Sequence, residues 1–500
     1  MNLMMLLEMA AEGFGDRVAI QNGPERLTYT QLFASAGAGA VDVARAGAER
    51  LVVLDVNSLA IPVGLFSAAW AGVPFVPLNY RLTGAELERL LASISAPYLV
   101  TDAARVDALA TQAHAIRARD DFLARARTPN GRGGEWPMDP EAVAVLLFTS
   151  GTTGAPKAAV LRHRHLVSYI LGSVEFGGAA PEDAALVSVP PYHIAGIAAI
   201  LSSVYSGRRI VQLTSFSPDA WLEAARAERV THAFVVPTML SRIVARAEEQ
   251  GGVALPHLRA VSYGGGKMPL AVIEKAMRLF PKTDFTNAYG LTETSSTIAV
   301  LGPDDHRAAA ASDDPAVRRR LVSVGRALPS VEIEIRGEDG RALGPGESGE
   351  IHVRGEQVSG EYLGLKSRVS ADGWFPTRDA GSLDAAGYLF LEGRIDDVIV
   401  RGGENLSPGE IEDTLLAHPA VADCAVVGVP DEQWGEAVAA VIVVADGCTV
   451  EADELRSWVK ERLRSSRTPE RVEFRPELPY GETGKLLRRK VRESLVEGTS

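Results

Sequence analysis

Cysteine is scarce in this chain, because only Cys424 and Cys448 occur in its 500 residues. One lies in an apolar, strand-like run and the other beside a glycine. Such a pair provides neither a disulfide framework nor a metal site of four thiolates. Few cysteines are typical of proteins in a reducing compartment, so we expect a cytoplasmic location.

Positive charge is also in deficit. Lys and Arg together number 51 against 64 Asp and Glu, which gives a formal net charge of −13 and a pI near 5.3. Affinity for nucleic acids comes largely from Lys and Arg side chains that neutralise phosphates. The composition therefore excludes nucleic acid as an expected partner, while a local basic pocket for a nucleotide remains compatible with it.

Uninterrupted hydrophobic runs are few. The uncharged run 184–207 is long enough to span a bilayer, but Pro190 and Pro191 interrupt it and favour a strand, a loop and then a buried helix. The N-terminal sequence has no basic start and reaches Glu8 early, which favours an amphipathic helix over a signal peptide. We therefore expect no membrane span.

Five hundred residues exceed what one hydrophobic core usually holds, so at least two structural units are expected. From residue 51 to 102, short apolar runs alternate with helical patterns, which predicts βαβ units and a parallel sheet. The pattern changes near residue 393, and Ser407 to Glu410 form a capping-box sequence that predicts a helix start. We place a domain boundary at Asp396, giving domains 1–395 and 396–500.

The segment 147–160, LFTSGTTGAPKAAV, follows a predicted strand. Glycines let a backbone approach an anion closely, and hydroxyl and ammonium groups add donors, so the segment predicts a phosphate site. The spacing of a Walker A loop is absent, and a Ser/Thr/Gly-rich turn is the structural alternative. The candidate phosphate-binding residues are Thr149, Ser150, Gly151, Thr152, Thr153, Gly154 and Lys157.

Further motifs occur in order along the chain: PPYHIAG (190–196), SYGGGKMP (262–269), NAYGLTET (287–294), GWFPTRD (373–379), GRIDDVIVRGGENLSPGEIE (393–412) and PYGETGK (479–485). With SGTTGAPK, they make the chain resemble the AMP-binding superfamily of acyl-CoA synthetases, luciferases and peptide-synthetase adenylation domains. The resemblance implies an α/β fold, with a large N-terminal domain of stacked α/β sheets and an associated β-barrel-like part. A small, mobile α+β C-terminal domain would follow.

This resemblance implies a reaction in two steps, with ATP, Mg²⁺ and coenzyme A as the small molecules required. A carboxylic acid and ATP would give acyl-AMP and pyrophosphate, and a thiol, expected to be that of coenzyme A, would then displace AMP. Three alternatives stay open: transfer to a carrier protein, a luciferase-like oxygenase, and a nucleotide-binding protein without turnover. The absence of an attached carrier domain in this sequence favours coenzyme A.

The resemblance also assigns four catalytic residues. Glu293 and the Thr149 hydroxyl would hold Mg²⁺, an oxygen-ligand set that suits this ion. Lys485 would reach the α-phosphate and the substrate carboxylate, where a point charge offsets developing negative charge. His193 would lie at the acyl and thiol channel.

For the nucleotide, the resemblance places adenine between the Gly264–Gly266 turn and Tyr289. Asp379 would accept both ribose hydroxyls and Arg394 would contact the ribose and phosphates. Asp396 would be the hinge of the C-terminal domain. The remaining residues that the resemblance assigns to ATP or to the pantetheine arm are Asn287, Ala288, Gly290, Thr292, Gly402 and Gly403.

This chain departs from the family pattern at three positions: Arg378 replaces a usual Gly, Ala158 replaces a usual Gly, and Lys267 follows the triple glycine. Lys485 ends a P-x-x-x-x-G-K pattern found at acetylation sites of similar synthetases, so a lysine acetyltransferase is an expected partner. A homodimer stays open. The acid is not readable from the mostly apolar or small pocket candidates, which are His193, Ile197, Val236, Thr238 and Ser262.

Overall fold

The structure is a computed structural model that describes residues 1–127, 134–149, 157–402, 404–481 and 486–497, with backbone alone at Thr149, Asn405 and Glu497. The strands are β1 (Val18–Asn22), β2 (Glu25–Thr28), β3 (Arg50–Leu54), β4 (Phe75–Pro77), β5 (Pro97–Thr101), β6 (Ala115–Ala118), β7 (Val143–Thr149), β8 (Lys157–Arg162), β9 (Ala184–Val187), β10 (Arg209–Gln212), β11 (His232–Val235), β12 (Ala260–Gly264), β13 (Asp284–Leu291), β14 (Ser296–Leu301), β15 (Arg326–Ala327), β16 (Glu332–Arg336), β17 (Gly349–Arg354), β18 (Phe375–Leu383), β19 (Leu389–Arg394), β20 (Ile399–Arg401), β21 (Glu404–Leu406), β22 (Val421–Asp431), β23 (Gly435–Val444) and β24 (Arg471–Phe474). The α-helices are α1 (Met4–Phe14), α2 (Tyr29–Arg45), α3 (Ala60–Ala71), α4 (Gly84–Ala92), α5 (Val106–Leu109), α6 (Arg119–Arg127), α7 (His163–Ser173), α8 (Ile194–Ser206), α9 (Pro218–Ala227), α10 (Pro237–Glu249), α11 (Leu270–Leu279), α12 (Pro303–Ala311), α13 (Pro315–Arg318), α14 (Pro408–Leu416), α15 (Ala452–Arg462) and α16 (Arg488–Glu497).

Two largely parallel sheets form most of the N-terminal part. The larger has the order β15-β14-β13-β12-β11-β9-β10-β1-β2, with its six strands from β13 to β1 parallel. The second has the order β6-β5-β3-β4-β7-β8, with β8 antiparallel at its edge. Residues of both sheets share one hydrophobic cluster with α1, α2, α3 and α8. The prediction of stacked α/β sheets is therefore confirmed.

Strand direction in the larger sheet places the site. The chain leaves parallel strands at the same edge, and loops at that edge are where α/β proteins bind ligands. Gly264 at the end of β12 is paired with Ala288 in β13. The glycine turn after β12 and the 3₁₀ turn Thr292–Thr294 after β13 therefore lie at one edge of this sheet.

A four-stranded antiparallel sheet, β16-β17-β18-β19, follows in the part of the chain where the β-barrel-like part is expected. Its strands β18 and β19 pair Asp379 with Arg394 directly. Two residues of the GWFPTRD and GRIDDV motifs, 15 positions apart in sequence, are thereby brought together. The chain then passes through a 3₁₀ turn, Ile395–Asp397, toward the C-terminal part.

The smaller C-terminal part is α+β, as predicted. Its sheet has the order β21-β20-β23-β22, with β24 parallel to β23. Helix α14 begins at Pro408 as expected, but the predicted capping box was wrong, because the Ser407 side chain accepts no hydrogen bond from the first turn of the helix. Its hydroxyl donates to the Glu392 carbonyl at 2.7 Å. The Glu392 carbonyl in β19 thus orients the Ser407 hydroxyl away from the capping geometry.

The apolar run 184–207 forms strand β9, a loop and helix α8, and the N-terminal segment forms helix α1, both as predicted. Across the described residues, no helix has the length and apolar character that crossing a membrane requires. Both cysteines are free thiols, Cys424 buried in the C-terminal sheet and Cys448 exposed in the turn after β23. Burial raises the pKa of the Cys424 thiol well above its ordinary value.

Candidate active site

At the glycine turn after β12, the backbone lies very close to the backbone of strand β13. A Cβ atom added to Gly264 would lie 2.1 Å from the Ala288 carbonyl oxygen, so a side chain at this position would collide with β13. Gly265 adopts φ +82°, a conformation that favours glycine. The turn therefore presents a flat peptide surface, and this surface suits the face of a purine base.

Strand β13 continues this surface. A Cβ on Gly290 would lie 1.8 Å from the Ser296 carbonyl oxygen, because the pairing of β13 with β14 shifts register there. The buried Asn287 side chain donates to the Ser323 carbonyl at 3.0 Å, which fixes its amide. Ala288 and Thr292 lie on the same strand and turn, so all of the NAYGLTET residues predicted to bind nucleotide share this edge of the sheet.

Asp379 connects the two predicted nucleotide-binding elements. Its Oδ1 accepts from the Arg394 guanidinium at 2.7 Å, and its Oδ2 accepts from the Tyr289 hydroxyl at 2.7 Å. Arg394 also donates to the Thr377 carbonyl at 3.1 Å. Each carboxylate oxygen has a second lone pair, so Asp379 can accept two further hydroxyl donors. This arrangement fits the role in ribose binding that the resemblance implies.

Burial and the Asp379–Arg394 ion pair determine the protonation states of Tyr289 and Arg394. Burial raises the pKa of the Tyr289 phenol well above its ordinary value, and the Asp379 charge raises it further. Tyr289 therefore stays a hydrogen-bond donor at neutral pH. Burial alone would lower the pKa of Arg394, but the charge and hydrogen bond of Asp379, together with the charge of Glu293, raise it above its ordinary value. The triad consequently carries a permanent cation beside a carboxylate.

Glu293, the predicted metal ligand, is anchored by its main chain and its side chain. Its carbonyl oxygen accepts from the Ser359 amide at 2.8 Å, the Gly360 amide at 3.2 Å and the Ser359 hydroxyl at 3.1 Å. The Tyr362 hydroxyl donates to Glu293 Oε1. Tyr362 was not identified from the sequence, because it lies outside the motifs, 69 positions from its partner.

Two of the departures from the family pattern make ion pairs. Arg378 adopts φ +65°, which explains why glycine is usual there, and its side chain pairs with Asp396. Lys267 donates to the Gly409 carbonyl at 3.1 Å and pairs with Asp413 at 2.6 Å. Both latter partners lie in helix α14, so Lys267 connects the glycine turn to the C-terminal part.

The pocket candidates lie in or directly before helices α8 and α10 and in strand β12. His193 precedes helix α8 and packs against Tyr192, with ring centroids 4.5 Å apart. Ile197 and Val236 are buried and belong to the main hydrophobic cluster. Thr238 lies in the first turn of α10 and Ser262 in β12.

Several predicted site residues fall outside what the structure describes. Ser150, Gly151, Thr152, Thr153, Gly154, Gly403 and Lys485 lie beyond the described ranges, as does the Thr149 side chain. Lys157 begins β8 and is exposed. Gly402 adopts φ +58°, and a Cβ there would lie 2.8 Å from the Trp434 ring.

Comparison with known proteins identifies the family of this chain. Residues 7–363 match the model of the AMP-binding enzyme family, and residues 410–485 match that of the AMP-binding enzyme C-terminal domain. The chain belongs to the AMP-binding enzyme family. The family predicted from the motifs is therefore confirmed, with a large N-terminal and a smaller C-terminal domain.

Two curated relatives and one solved structure show how far the similarity extends. Feruloyl-CoA synthase of Amycolatopsis sp is 33% identical over 484 residues, covering 95% of each chain. Indoleacetate–CoA ligase of Aromatoleum aromaticum is 33% identical over 467 residues, covering 89% of this chain and 88% of that protein. The o-succinylbenzoate-CoA synthetase of Bacillus subtilis, in complex with its acyl-adenylate intermediate, has a TM-score of 0.84 at 30% identity and 97% coverage of both chains.

Proposed function

We propose that this member of the AMP-binding enzyme family is an AMP-forming acyl-CoA synthetase that activates a carboxylic acid bearing an aromatic ring. The observation that carries the proposal is the Tyr289–Asp379–Arg394 triad beside the glycine turn. This triad offers a purine surface and a bidentate acceptor for a ribose in one place. Ferulate, indoleacetate and succinylbenzoate, the acids in the names of three similar enzymes, each contain an aromatic ring.

In the first half-reaction, the barrier arises because an anionic carboxylate approaches an anionic phosphate. Glu293 and Thr149 would hold Mg²⁺, and the ion would supply neutralisation of the phosphate charge. Arg394 adds a permanent cation at the ribose and phosphate side, and Lys485 bridges the α-phosphate and the acid. Alignment and charge neutralisation together supply most of the rate.

In the second half-reaction, a thiol displaces AMP from the acyl-adenylate. We propose a domain boundary at Asp396 and rotation of domain 396–500 about it, which withdraws Lys485 and brings Gly402 and Gly403 to the thiol channel. His193 positions the acyl group beside that channel. Arg378 and Lys267 contact residues on the far side of the boundary, Asp396 and α14, so both contacts must change during this rotation.

Two other functions predict different products. A ligase that loads a carrier protein would require that protein instead of free coenzyme A, and a luciferase-like oxygenase would consume O₂ and emit light. The names of the relatives above, feruloyl-CoA synthase and indoleacetate–CoA ligase, favour coenzyme A. We also propose that the protein is cytoplasmic, because both of its cysteines are free thiols.

One assay separates these functions. Pyrophosphate release is measured with ferulic, indoleacetic and 2-succinylbenzoic acids against straight-chain fatty acids of matched length. We expect release with at least one aromatic acid, and AMP release that requires coenzyme A. Release with fatty acids alone would overturn the proposed substrate class, and AMP release that coenzyme A leaves unchanged would overturn the acceptor.

Lys485 provides a test within the site. Lys485→Ala should stop pyrophosphate release while thioester formation from supplied acyl-AMP continues, because the charge is needed at the phosphorus. Equal loss of both steps would contradict this role. Acetylation removes the same charge, so treatment with a lysine acetyltransferase should stop adenylate formation.

The oligomeric state is tested separately, because sedimentation of the purified protein distinguishes a homodimer from a monomer.

A further inference from the structure

Residues 361–363 extend the edge of the six-stranded sheet. The Val160 amide donates to the Glu361 carbonyl at 2.9 Å, and the Leu363 amide donates to the Ala158 carbonyl at 2.8 Å. Arg162 holds the Glu361 carboxylate through two nitrogens, at 3.0 and 2.7 Å. The position of Tyr362 is therefore set by strand β8.

Hydrogen bonds from Gln357 also hold the turn that carries Glu293. Gln357 is buried, and its amide donates to the Thr294 carbonyl at 3.0 Å and the Thr297 carbonyl at 2.7 Å. Ser359 and Gly360 hold the Glu293 carbonyl, as described above. The Glu293 main chain is thus fixed, and the remaining freedom is in its side-chain torsions.

We infer that Tyr362 is a positioning residue that orients the Glu293 carboxylate toward Mg·ATP and ties it to strand β8. This inference rests on the proposed function. The Tyr362 hydroxyl occupies one lone pair of Glu293 Oε1, and among the described residues no hydrogen bond to Oε2 competes with a cation there. Hydrogen bonds to a ligating carboxylate restrict its rotation and tune its affinity for the metal.

The connection to β8 gives this contact a second consequence. Strand β8 begins at Lys157, directly behind the predicted phosphate-binding segment. Tyr362 therefore links the carboxylate that would hold the metal to the strand that carries the phosphate-binding lysine. Glu293 and Lys157 would therefore hold the metal and the phosphates from connected parts of the structure.

Tyr362→Phe tests this inference, since it removes the hydroxyl and keeps the ring. ATP binding is measured by equilibrium titration at increasing Mg²⁺, and again in EDTA. We expect the Mg²⁺ concentration for half-maximal stimulation of ATP binding to rise about 10-fold, as for other groups that orient metal ligands. ATP affinity in EDTA and the melting temperature should stay at wild-type values.

Tyr388→Phe is the matched control, because Tyr388 also donates to a carboxylate, Asp305 Oδ1, at 2.6 Å but lies away from the site. It should leave the Mg²⁺ dependence unchanged. In a Glu293→Gln background, Tyr362→Phe should have no further effect on it. Additive effects in that double variant would overturn the inference.

Two other results would also overturn it. One is an unchanged Mg²⁺ dependence in Tyr362→Phe, and the other is an equal loss of ATP affinity with and without Mg²⁺, which would mark a purely structural role. Failure of the proposed function is distinguishable from both. A protein that binds Mg·ATP but releases no pyrophosphate with any acid would refute the synthetase and still decide the role of Tyr362.

Discussion

Arg378 and Asp396 form an ion pair that joins strand β18 to the 3₁₀ turn Ile395–Asp397. Both side chains are about half exposed, so the pair contributes at most about 1 kcal/mol to the free energy of unfolding. The Arg378 backbone is left-handed, which costs an L-residue about 1–2 kcal/mol. The arginine at this position therefore has a conformational cost that its ion pair only partly offsets.

Substitutions of Arg378 test whether its backbone conformation costs free energy. Arg378→Gly and Arg378→Ala lose the same ion pair, but only glycine adopts φ +65° without strain. We expect the free energy of unfolding in urea to be about 1 kcal/mol higher for Arg378→Gly than for Arg378→Ala. Equal values would show that the backbone at this position relaxes on substitution.

Asp396→Pro tests the proposed hinge. Asp396 lies in the first turn of a 3₁₀ helix, whose φ is close to the −65° that proline requires, so the variant should fold. Rotation of the C-terminal domain would demand other backbone angles at this residue, which proline forbids. We expect acid-dependent pyrophosphate release to survive, thioester formation to fail and acyl-AMP to accumulate.

The two half-reactions of Asp396→Pro are measured separately, with a melting curve that confirms folding. Asp396→Ala is the matched control, because it removes the same carboxylate and leaves the backbone free to rotate. A folded proline variant with both rates at the wild-type value would refute a hinge at this residue.

Lys267→Ala tests the contact between the glycine turn and helix α14. The Lys267 ammonium bonds the Gly409 carbonyl and Asp413, so its loss should loosen the C-terminal domain. We expect trypsin to cleave after Arg394 and Arg401 several-fold faster, measured by mass spectrometry of the fragments. Lys275→Ala, which removes an exposed lysine paired with Glu248 within the N-terminal domain, is the control and should cleave at the wild-type rate.

Buried histidines predict a loss of stability in mild acid. Burial lowers the pKa of His163 to about 4 and that of His165 to about 3, with Arg164 and Arg162 lowering the latter further. The unfolded chain takes up protons near the ordinary value of 6.5, whereas the folded chain does not. Their contribution to stability is therefore complete above pH 6.5 and is lost as the pH falls from 6.5 toward 4 for His163 and toward 3 for His165.

The variant His165→Asn measures how much His165 contributes to the loss of stability in acid. Asparagine can still accept the hydrogen bond that His165 Nδ1 receives from the Arg162 amide, but it does not titrate. We expect a shallower fall of Tm between pH 6.5 and 4.5 than in the wild type. A slope as steep as that of the wild type would assign the acid sensitivity to other groups.

Sequence periodicity predicted the elements that depend on local pattern. The βαβ alternation, helix α8 after the proline pair and the start of α14 all follow from residues close together in the chain. The contacts that build the site join residues far apart. Tyr362 meets Glu293 across 69 positions, and Lys267 meets Gly409 across 142, so neither could be read from local spacing.

Arg378 illustrates a further limit. Its left-handed backbone is set by the position of β18 between β17 and β19 and by the Glu350 carboxylate, which accepts from its amide at 3.0 Å. The absence of the usual glycine was visible in the sequence, but the conformation that makes glycine usual was not. The Ser407 hydroxyl likewise found a carbonyl partner in β19 that no local rule predicts.

Because Cys424 is buried and Cys448 is exposed, one cysteine of this chain can be labelled selectively with a dye. The Cys424 thiol is sealed in the C-terminal sheet with a raised pKa, whereas Cys448 is open to solvent. A maleimide dye should therefore couple to Cys448 alone, since reaction requires an accessible thiolate. The native chain thus accepts a single fluorophore on its C-terminal domain without mutagenesis. A fluorescent ATP analogue as the second dye would let energy transfer follow the motion of that domain during turnover.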